Sequence, residues 1–65
     1  MEIRLAESHH IPHLLHFLRA GGCIAYLTGA ADVIEALLPD GGEEDAEVRR
    51  LLALWLAANP TARLL

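Results

Sequence analysis

Lysine is missing from this 65-residue chain, while cysteine, methionine and each of the three aromatic residue types occur once. A single cysteine, Cys23, rules out an intramolecular disulfide, and no Cys/His spacing of a structural zinc site is present. All five basic residues are arginines, spread from Arg4 to Arg63, and the net charge is −4 with histidine neutral. Phosphate recognition needs clustered cations, so nucleic acid is a poor partner. No apolar run approaches the ~18 residues that would cross a bilayer, which argues against a membrane protein. The start of the sequence has no basic stretch leading into an apolar one, so no secretion signal is expected and the cytoplasm is the expected location.

What the chain does have is grease. Its apolar fraction is 54%, against roughly 45–50% for soluble domains, in a length that suits one domain, residues 1–65. A domain this small buries only about 60% of its unfolded surface. Disulfides, a metal or oligomerisation usually make up the shortfall. With no disulfide and no zinc motif, association with another chain is the remaining expectation. Residues 48–58, V-R-R-L-L-A-L-W-L-A-A, are apolar most of the way round a helix.

Residues 2–6 alternate polar and apolar, the period of a half-buried strand. Ser8 is placed to cap a helix whose stripe is Ile11, Leu14, Leu15 and Leu18, with Pro12 tolerated in its first turn. Gly21 and Gly22 stop that helix. Residues 23–28 and 33–38 suit two strands of a hairpin, joined by the small residues 29–32 and ended by Pro39. A helix is the rival for residues 30–38, since Ala, Leu and Glu are good helix formers. Glu43, Glu44, Asp45 and Glu47 crowd the start of a second helix, where negative charge complements the helix dipole. Val48, Leu51, Leu52 and Trp55 form its inward stripe, and Asn59-Pro60 ends it.

The order β-α-β-β-α defines an α+β fold. A right-handed crossover and a central third strand yield a three-stranded sheet of order 1-3-2, the ferredoxin-like layout lacking its fourth strand, with both helices on one face. Strand one is then an exposed edge, a template for pairing. The segments L-R-A-G-G-C (18–23) and V-I-E-A-L-L-P-D (33–40), followed by an acidic-then-leucine helix with Trp55 and Asn59-Pro60, resemble a family of short, uncharacterised actinobacterial proteins. The resemblance spans nearly the whole chain and implies the same fold, but no activity. The four histidines depart from it, since that helix is more usually acidic or Ala-rich.

Chemistry-bearing residues are few. His9, His13 and His16 fall on one helical face opposite the leucine stripe, and imidazoles at i,i+3 and i,i+4 can chelate Zn, Ni or Cu. The plainer reading is a solvated His-rich face, because no carboxylate or cysteine at a defined spacing completes the ligand set. Cys23 follows a helix C-terminus, where the dipole disfavours a thiolate, and reads as a buried structural residue. The acidic cluster Asp40, Glu43, Glu44, Asp45 and Glu47 lacks the alternating pattern of a calcium loop. Gly41-Gly42 is followed by carboxylates that would repel phosphate. No nucleophile–base pair is brought together, so an enzyme is not expected, nor is a bound cofactor.

Trp55 belongs to the core first. Leu54, Leu56 and Ala58 flank it and are candidates for partner contact. On the sheet, Ile34, Ala36 and Leu38 should face the helices, leaving Val33, Glu35 and Leu37 on the other face with Tyr26. That partly apolar face is a second interface candidate. The expected function is a non-enzymatic interaction module, a homodimer or a partner of another protein. The alternative is a metal- or ligand-responsive regulator using the His face.

Overall fold

A computed structural model describes residues 1–29, 33–39 and 45–65. The turn expected across residues 30–32 and the acidic joint at residues 40–44, including Asp40, Glu43 and Glu44, lie outside the described residues. The elements are β1 (Glu2–Arg4), a 3-10 turn (Ser8–His10), α1 (Ile11–Ala20), β2 (Ile24–Leu27), β3 (Val33–Leu37) and α2 (Ala46–Ala58). The β-α-β-β-α order is as expected, and residues 33–37 form a strand rather than the rival helix. The sheet is antiparallel throughout with β3 central, giving the order β1-β3-β2.

Alternation sets the faces. Ile3, Ala25, Ile34 and Ala36 point to one side, where Ile3 opposes Ile34 and Ala25 opposes Ala36. They join the stripes of both helices in one core: Ile11, Leu14 and Leu18 from α1, and Val48, Leu51, Leu52 and Trp55 from α2. The indole of Trp55 is 1% exposed.

Two local details differ from the sequence expectation. Ser8 makes no capping hydrogen bond, because it lies inside the 3-10 turn and Glu7 is the extended residue that precedes it. β1 is not a bare edge: Ala6 N–H donates to Arg63 O and Leu65 N–H to Arg4 O around a Leu5–Leu64 bridge. This rudimentary pairing occupies the position of a fourth strand, antiparallel to β1. The free edge of β2 is also guarded, since Arg19 Nε donates to Ala25 O at 2.8 Å. A side-chain cation on an edge carbonyl blocks pairing by a foreign strand.

The end of α1 is a Schellman turn. Cys23 N–H donates to Leu18 O, Gly22 N–H donates to Arg19 O, and Gly22 holds φ +96°. A Cβ at Gly22 would meet nothing within 4 Å, so the strain of an alanine there is purely backbone. Gly22→Ala is expected to destabilise the fold by about 1–2 kcal/mol in urea unfolding. Gly21 is small for another reason: a Cβ there would lie 2.9 Å from Leu51 Cδ1, where α1 closes on α2.

Candidate functional site

The 3-10 turn decides where the histidines go. A 3-10 helix turns about 120° per residue instead of 100°, so the helical face projected from His13 and His16 does not extend back to His9. The structure does not gather His9, His13 and His16 as one donor set. Among the described residues the convergent donors are Glu7, His9 and His10, with one ligand atom from each within 4.8 Å of the others. Glu7 and His10 are i,i+3 across the turn, where side chains eclipse, and His10 N–H donates to Glu7 O to close it. Glu7 Oε2 stands 3.6 Å from His9 Nδ1.

The histidines do not all point away from the core. The His9 and His10 ring centroids lie 4.1 Å apart with the rings tilted by 36°, and the His10 and Trp55 rings make a T-shaped contact at 5.8 Å and 85°. Trp55 Nε1 donates to His13 Nδ1 at 3.3 Å, so that nitrogen is the unprotonated one in this bond. His10 Nε2 is buried and has no hydrogen-bond partner among the described residues. His16 is exposed on α1. Reading helix one as a single α-helix missed Glu7 and His10. The E-x-H-H spacing of residues 7–10 was the available signal.

The apolar surface is distributed differently from the sequence expectation. Leu54 is 52% exposed and Ala58 is exposed, but Leu56 is half-buried against the core and offers no open contact surface of the expected kind. Val33 is not open on the sheet face either. It is buried at the end of the hairpin, where Thr28 N–H donates to its carbonyl. Tyr26 is 46% exposed and Leu37 half-buried. Ile24, absent from the expected set, is 44% exposed. Ile24 opposes Leu37 and Tyr26 opposes Glu35, so Ile24, Tyr26 and Leu37 make a contiguous apolar patch on the face away from the helices.

Ion pairs and charged hydrogen bonds lie around these features. Arg50 Nε donates to Glu47 Oε2 at 3.1 Å, and this hydrogen bond holds the Glu47 carboxyl below its ordinary range. The amino group of Met1 donates to Ala36 O at 2.7 Å and to Glu35 Oε1 at 3.2 Å. A recess of about 80 Å³ beside β1, lined by Met1, Ile3, Leu52, Leu64 and Leu65 among others, is far below the ~300 Å³ of a small-molecule site. No helix among the described residues is long and apolar enough to cross a membrane.

Cys23 is buried, and burial first, then the Glu47 carboxylate, pushes its thiol above the ordinary range. The neutral thiol is thus favoured by the fold, and the unfolded chain releases its proton first as pH rises. Any stability from this group is intact below the unfolded thiol pKa of about 8.5 and is lost as pH climbs towards the folded value. Cys23→Ala should flatten that alkaline decline in urea unfolding. Iodoacetamide should modify the folded protein roughly tenfold or more slowly than the urea-unfolded chain.

Comparison with protein-family models, with curated proteins and with solved structures found no match to this chain.

Proposed function

We propose that this chain is a small, non-enzymatic interaction module that works as a homodimer through the open face of its sheet. The observation that carries the reading is the patch of Ile24, Tyr26 and Leu37, continuous across β2 and β3 on the face the helices leave uncovered. Pairing through strand edges is disfavoured, because Arg19 holds the β2 edge and residues 63–65 bridge to β1. Face-to-face stacking about a two-fold axis sets the same patch against itself, with Tyr26 suited to an interface core. The absence of a disulfide supports the same reading, since a domain of this size gains from burying more apolar surface. Sedimentation equilibrium tests it: a concentration-dependent dimer is expected, and a monomer at all concentrations up to several hundred micromolar overturns it.

A further inference from the structure

We propose that Glu7, His9 and His10 form a binding site for a divalent transition-metal ion of the Zn²⁺ or Ni²⁺ type, independent of the self-association proposed above. The donor set is two imidazoles and one carboxylate, which suits borderline first-row ions rather than the all-oxygen shells of Ca²⁺ or Mg²⁺. The three donors fall within a run of four residues, 7–10, whose backbone is already turned to bring them together, with one ligand atom from each within 4.8 Å of the others. Ligand atoms around a tetrahedral zinc sit roughly 3.3 Å apart, so modest side-chain rotation closes the set.

The surroundings support the site. His9 is exposed, which leaves room for water to complete an open coordination sphere. His10 is held against Trp55 by a T-shaped ring contact, and its Nε2 is buried with no hydrogen-bond partner among the described residues. His13 is engaged by Trp55 Nε1. The ion would stand one imidazole away from the only tryptophan, so its arrival is directly readable.

The test is titration of the protein with NiCl₂ and, separately, ZnCl₂ at about pH 7.5, above the ordinary imidazole range. Trp55 fluorescence and calorimetry are followed together. One ion per chain is expected, with micromolar or tighter affinity and quenching of Trp55 by Ni²⁺. His9→Ala and Glu7→Gln should each weaken binding roughly tenfold or more, and His16→Ala should leave it within about twofold of the parent. Far-UV circular dichroism checks folding. Glu7→Gln is nearly isosteric, so it decides the matter if His9→Ala fails to fold. The proposal is overturned by no saturable binding up to about 1 mM. It is equally overturned if His9→Ala and Glu7→Gln bind like the parent, or if His16→Ala abolishes binding.

Discussion

Trp55→Ala is expected to leave the chain largely unfolded at 25 °C. The indole is 1% exposed and sits in the single core shared by both helices and the sheet. Truncating a buried tryptophan to alanine costs about 3–5 kcal/mol through lost transfer energy and the cavity left behind. A domain of this length has only about 3–10 kcal/mol of total stability at ~0.05–0.15 kcal/mol per residue. The loss is therefore comparable to the whole. Trp55→Phe separates the two roles of the side chain. It keeps most of the apolar bulk but removes the Nε1 donor to His13, and should cost about 1–2 kcal/mol. Urea unfolding followed by far-UV circular dichroism distinguishes the two variants. A Trp55→Ala midpoint equal to that of the parent would contradict the placement of this residue at the centre of the core.

The second large effect is on association. If the open sheet face carries the dimer, Tyr26→Asp should raise the dimer dissociation constant by about 10³-fold. An aromatic anchor at the centre of an interface is worth roughly 2 kcal/mol, and a two-fold axis presents each residue twice. Placing an unpaired carboxylate there adds a desolvation penalty in the same direction. Tyr26 is 46% exposed in the isolated chain, so monomer stability should fall by only about 1 kcal/mol, the cost of placing a carboxylate in a strand directly opposite Glu35. The two effects therefore separate in one variant. Leu54→Asp is the control, because Leu54 is equally open but lies on α2. A dimer broken by Leu54→Asp and untouched by Tyr26→Asp would move the interface to the helix flank and refute the sheet-face assignment.

The apolar stripes of both helices, the strand alternation of residues 2–4 and the helix stop at Gly21-Gly22 were legible because each is a short-range property. Side chains at 3.6- or 2-residue spacing share a face wherever the element ends up, and only glycine holds the positive φ of the α1 terminus without strain. The strand order also followed, since chain connectivity and crossover handedness leave few arrangements of three strands.

The histidine geometry was not legible in the same way. Projecting His9, His13 and His16 onto one α-helical face assumed a uniform twist, but the 3-10 turn at residues 8–10 re-aims His9 and His10 and draws in Glu7. Nor could local pattern show that Leu56 folds against the core, that Val33 is covered, or that Arg19 reaches the carbonyl of Ala25.

The sequence by itself determined the two α-helices, the three strands, their order and the main apolar stripes of the core, because periodicity, turn chemistry and connectivity act along the chain. Only the tertiary structure decided which histidines meet a carboxylate and which apolar side chains stay open to solvent. Those outcomes depend on how α2 and the C-terminal residues lie against the rest, and on contacts between positions as far apart as His13 and Trp55 or Leu5 and Leu64, which no local spacing encodes.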